Sequence, residues 1–136
     1  MVQKFHNSDV GLLLIRLGLA AIFIYHGWGK IDNMEQTVGF FSSLGLSAVW
    51  TYAVAWVEFV GGISLLLGLW TEYSAVALSV VMVGAIYLVH WKNGFGGQGG
   101  YEFQLLILLS TLSLVFFGSG KYSLGAMMNK DSAPTN

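Results

Sequence analysis

The run VGLLLIRLGLAAIFIYHGW, residues 10–28, decides the fold. As a helix rising about 1.5 Å per residue, it is close to the roughly 30 Å thickness of a bilayer's hydrocarbon. Arg16 interrupts it. An unpaired arginine near the bilayer centre costs roughly 2.5 to 3.5 kcal/mol on insertion scales, so this one needs a partner inside a bundle. Lys4 ahead of the run and Gly18-Leu19-Ala20-Ala21 within it give the look of a secretory signal. Arg16 breaks the apolar core such a signal needs, and the hydrophobic run continues through Ile22, Phe23, Ile24 and Tyr25. A retained helix is the better reading.

Three more runs of this kind follow, at 49–70, 73–91 and 101–117. Trp50 and Trp70 sit at the two ends of the second, where indoles favour the membrane interface, and Glu58 lies well inside it. Only Thr71 and Glu72 separate the second run from the third, which makes an antiparallel hairpin. Backbone groups in lipid must bond internally, and no strand-like alternation is present, so the expected fold is an all-α, integral membrane four-helix bundle of antiparallel up-down topology. Asn7, Ser8 and Asp9 suit the start of the first helix, and Gly27 and Gly29 its end. Between Lys30 and Ala48, the residues Val38, Phe40, Phe41, Leu44 and Leu46 point to a short interfacial helix. Residues 92–100 carry five glycines and read as a flexible or closely packed loop. Residues 1–125 form one four-span domain on this reading, and 126–136 a disordered tail. Gly11, Gly18, Gly61, Gly62 and Gly68 are suited to close helix contact.

Composition agrees: 55% of the 136 residues are apolar and 10% charged, and the mean hydropathy is +0.67, far from the soluble globular norm. A net charge of −1 without any basic patch excludes nucleic acid as a partner. The absence of cysteine removes disulfides, thiolate metal sites and a dithiol relay within the chain. Four spans place both termini on one side. Lys4, Lys121 and Lys130 there, against Lys30 and Lys92 opposite, lean towards cytoplasmic termini.

Antiparallel threading gathers His26, His90 and Glu102 at one membrane face and sets Arg16 within reach of Glu58 in the interior. A carboxylate accepting a guanidinium's planar fork makes both charges cheaper to bury. Such a pair serves as a structural clasp or as part of a functional site, and both readings stay open. Both imidazoles can handle protons near neutral pH, or can simply bond headgroups and loop carbonyls. The spacing does not support a metal site, since no two candidate ligands form an i, i+4 pair, and none is assigned. Tyr25, Trp28, Tyr87 and Tyr101 collect at the same end, with Phe40, Phe41, Trp91 and Phe95. They form an interfacial belt or else flank a flat ligand such as a quinone whose oxygen bonds His26 or His90. Phosphate-loop, His-Glu-x-x-His and nucleophile-elbow motifs are all missing.

Arg16-Leu17-Gly18, then His26-Gly27-Trp28-Gly29-Lys30, resembles the first helix of the DoxX family of small bacterial four-helix membrane proteins. Glu58 with Gly61, Gly62 and Gly68 is similar to its second helix. His90, Gly94-Phe95, Gly100-Tyr101-Glu102 and the closing Gly118-Ser119-Gly120-Lys121-Tyr122-Ser123-Leu124 complete the order across about a hundred positions. Gly125 departs from the pattern, since the family often has an acidic residue near this point. The resemblance implies a multi-pass protein of the bacterial inner membrane, and relatives look like subunits of thiosulfate:quinone oxidoreductase or partners of redox enzymes. Others in the wider group resemble assembly factors or cargo receptors, so fold alone does not set function.

The leading expectation is a membrane subunit of a quinone-linked redox system. His26, His90 and Glu102 would do its proton chemistry, Tyr25, Trp28, Tyr87 and Tyr101 would flank a quinone, and a soluble or membrane redox protein would be its partner. A non-enzymatic scaffold or assembly partner is the alternative, and a proton-coupled carrier of small solutes a third. Homo-oligomers are compatible with all three.

Overall fold

The computed structural model describes residues 7–131, the side chains of Lys130 and Asp131 excepted. Lys4, used in the charge count, and tail residues 132–136 lie outside the described residues. Six helices follow in order: α1 Ser8–Asp32, α2 Met34–Ser43, α3 Ala48–Leu67, α4 Thr71–Ala85, α5 Glu102–Phe117 and α6 Leu124–Asp131. Among the described residues there is no strand. The chain is the expected all-α bundle, with α2 as the short helix between the first two long ones. α4 widens into a π-helical turn, Ile86–His90, and tightens into a 3-10 turn, Trp91–Asn93.

Asn7 caps α1 as expected, its side chain accepting from the Val10 amide at 3.3 Å. The far end differs from expectation. Gly27 and Gly29 do not stop α1, which continues to Asp32 and closes where the Asn33 side chain donates to the Gly29 carbonyl at 3.1 Å. A mid-helix glycine costs only about 1 kcal/mol against alanine, and packing gained at Gly27 outweighs it. A Cβ there would come within 2.8 Å of the Phe59 backbone, so its absence lets α1 and α3 touch. Gly62 does the same from the other side, against Ile24. Gly11 and Gly18, expected to act likewise, face open space.

α3 stops at Leu67, three residues short of the expected Trp70, because Gly68 takes the left-handed conformation that ends helices, with φ 68°. Buried Leu19, Ala20 and Phe23 of α1, Leu65 of α3, Ala75, Leu78 and Met82 of α4, and Ile107 and Leu114 of α5 form the core. Among the described residues, three helical stretches have the length and apolarity to cross a membrane: Ser8–Asp32, Ala48–Leu67 and Thr71–Asn93. The fourth, α5, is apolar but has 16 residues, about 24 Å of helix. At one end of the bundle the Lys121 amide donates to Asp9 at 2.9 Å, tying the exit of α5 to the entry of α1.

Beyond that turn, residues 126–131 are not the unstructured tail that composition suggested. They belong to α6, docked where the Gly125 amide donates to the Gly68 carbonyl at 3.2 Å. A Cβ at Gly125 would stand 2.8 Å from that oxygen, which accounts for glycine in place of an acidic residue.

Candidate functional site

The α1–α3 seam sets the site. Arg16, Ala20, Phe23, Gly27 and Lys30 fall on one stripe of α1 and face Thr51, Ala55, Glu58, Gly62 and Leu65 of α3, both following helical spacing. Gly27 meets Phe59 and Gly62 meets Ile24, so the residue numbers facing one another sum to 86. Trp28 is therefore level with Glu58, not with Trp50, and its ring packs 5.7 Å from Phe59. Arg16 lies twelve residues from that level, about 18 Å along the axis.

The expected Arg16–Glu58 pair is accordingly not formed. That pair requires α1 to end at Trp28, level with Trp50; the helix instead runs on to Asp32, and the register shifts by two turns. Arg16 instead donates to three backbone carbonyls: Nε to Leu65 at 2.6 Å, Nη1 to Ser119 at 2.5 Å and Nη2 to Tyr122 at 2.9 Å. It is 2% exposed and binds α1, the end of α3 and the α5–α6 turn into one unit. Helix and turn carbonyls carry partial negative charge, which stabilises the cation without a carboxylate. Arg16 is a clasp.

Glu58, 4% exposed, takes its counter-charge from Lys30, whose Nζ lies 2.5 Å from Oε2. The pair sits in the wall of a cavity of about 860 Å³. Near their turn α3 and α4 touch where Gly61 abuts Leu78. Farther along, Val57, Val54 and Trp50 of α3, Val81 and Ala85 of α4 and Leu88 of the π-helical turn line the cavity. Phe40, Phe41 and Leu44 cover it from α2 and its C-terminal end, and Phe103, Gln104 and Ile107 close it from α5. Trp50, Val80 and Leu88 line the cavity and are also exposed, as are Phe40 and Phe103, so it is open to the outside.

Of the imidazoles, both His26 and His90 line this cavity. His90 Nδ1 lies 2.8 Å from the Gly99 carbonyl, and the His26 ring meets Tyr25 edge-on at 5.5 Å. Glu102 does not line it. That carboxylate is exposed at the first turn of α5 beside Gly96, where an acidic side chain suits the helix dipole. The expected aromatic set also disperses. Tyr25 and Trp28 line a separate recess of about 310 Å³ that shares His26 and Lys30 with the main cavity. Tyr87 is 74% exposed, and Tyr101 stacks on Trp91 at 5.3 Å, holding the glycine-rich loop. The rings in the cavity wall are Phe23, Phe40, Phe41, Trp50 and Phe103.

Sequence reasoning missed Lys30 and Gln104. Lys30 lies beyond the expected first span, yet it stands seven residues after Phe23 and fourteen after Arg16, on the stripe they define. That period was the available signal, and the glycines on either side of Trp28 hid it. Gln104 had no comparable signal. Among the described residues no three His, Cys, Asp or Glu gather as metal ligands.

The sequence pattern of the DoxX family matches residues 11–91. CatD of Bacillus subtilis, provisionally named an oxidoreductase, is 37% identical over 113 residues, 83% of this chain and 83% of its own. The inner membrane protein YqjF of Escherichia coli is 30% identical over 125 residues, covering 90% of this chain and 95% of its own. An uncharacterized membrane protein of Mycobacterium tuberculosis is 32% identical over 133 residues, 88% and 82% of the two chains. No solved structure matches.

Proposed function

The chain belongs to the DoxX family of membrane proteins, and from that premise we propose that it is the membrane subunit or partner of a quinone-linked redox system. The observation that carries this reading is the cavity: about 860 Å³, walled by apolar side chains and rings, with Lys30, Glu58, His26, His90 and Gln104 as its polar groups. Few polar groups in a large apolar cleft are the usual composition of a site for a mostly hydrophobic ligand. The volume suits a quinone head with part of its tail. Exposed apolar residues in its wall, such as Val80, would face acyl chains, the phase in which such ligands dissolve. Lys30 and Gln104 can donate to a ring oxygen, and the imidazoles can hold or release a proton there. A bound quinone would supply two-electron chemistry. CatD's provisional name as an oxidoreductase supports the same direction.

In this reading the protein lies in a bacterial inner membrane, crosses it four times and keeps both termini in the cytoplasm. YqjF, by name, is an inner membrane protein.

Gly84 supplies the test. It lines the cavity, and a Cβ there meets nothing within 4 Å, so a side chain can be added to the wall from open space. Menadione titrated into protein purified in mild detergent should quench tryptophan fluorescence saturably. Gly84→Phe should weaken that binding at least tenfold while thermal stability holds. No saturable binding to the wild-type protein would refute the reading.

A further inference from the structure

We propose that the cavity discriminates by redox state, taking the hydroxyl-bearing quinol in preference to the quinone through the lone pair of His90 Nε2. This rests on the quinone-linked reading above and adds which form the site holds. A backbone carbonyl can only accept, so the 2.8 Å contact from Nδ1 to the Gly99 oxygen places the imidazole proton on Nδ1. The Asn93 side-chain amide donates to the same oxygen at 3.0 Å. Gly99 is held at φ 81°, so its carbonyl direction belongs to a turn few other residues could make. The ring is thus anchored from outside the cavity, and in the Nδ1–H tautomer Nε2 is left as an acceptor.

A quinone oxygen has only lone pairs to offer and is repelled by such an atom, whereas a quinol hydroxyl donates to it. Lys30 does not oppose this, because carbonyl and hydroxyl oxygens both accept from an ammonium. The His90 acceptor therefore favours the reduced ring.

The test compares three probes of nearly the same shape under argon at about pH 8: menadione, menadiol, and menadiol with both hydroxyls methylated. Trp50, in the cavity wall, reports binding. Menadiol should bind at least tenfold more tightly than either of the others, and a tenfold preference raises the midpoint potential of the bound couple by about 30 mV. His90→Ala should bring the menadiol-to-menadione ratio to within about twofold while menadione still binds. If that variant does not fold, the methylated probe decides alone on the wild-type protein. Menadione binding as tightly as menadiol, with Gly84→Phe still blocking both, would overturn this inference and leave the functional reading standing. Binding of none of the three would overturn both.

Discussion

At the scale of single residues, each interior charge has a different partner type, and that difference is measurable. Glu58 depends on one ammonium. Lys30→Met leaves a buried carboxylate uncompensated and should cost about 3 to 5 kcal/mol, read as thermal unfolding in detergent. The double variant Lys30→Met with Glu58→Met removes both charges and should recover most of that loss. A single variant as stable as the wild type would show that Glu58 does not rely on Lys30. Arg16 depends on directed geometry, not on an opposing charge. Arg16→Lys keeps the charge but cannot present three donors to the carbonyls of Leu65, Ser119 and Tyr122. It should destabilise by about 2 kcal/mol or more. Menadione affinity of the folded fraction should not change, because Arg16 lies about 18 Å along the axis from Glu58.

Among the helices, close approach of α1 to α3 positions everything else, and two glycines of α1 make opposite predictions. Gly27→Val drives a side chain into the Phe59 backbone and should cost about 1 to 3 kcal/mol while loosening ligand binding. Gly18→Ala meets open space and should gain up to about 1 kcal/mol from helix propensity. Unfolding midpoints of the two variants should move in opposite directions, and equal shifts would refute the packing account. The helices themselves were legible in the sequence, because apolar runs near bilayer length have few alternatives to helix. Their ends were less so. Gly68 stops α3 because it takes the left-handed conformation, whereas Gly27 stays helical within α1, packed on the Phe59 backbone. The sequence around each does not say which.

For the molecule as a whole, Asp9 and Lys121 bring the entry of α1 and the exit of α5 to one end, as an even number of crossings requires. Reporter domains fused to either terminus should report the same side of the membrane; opposite sides would refute four crossings, and the 16-residue α5 would be the helix to doubt. The class of fold, the order of helices and the presence of interior polar groups all followed from the residues, because lipid is an unforgiving solvent and composition alone reveals what it will accept. The pairing of those groups did not. Arg16 with carbonyls, Glu58 with Lys30 and Glu102 outside the cavity depend on a register between α1 and α3 that changes by about 1.5 Å with each residue of helix. That register is set by two backbones meeting at Gly27 and Gly62, a contact between segments far apart in the chain, which local sequence cannot encode and folding must find.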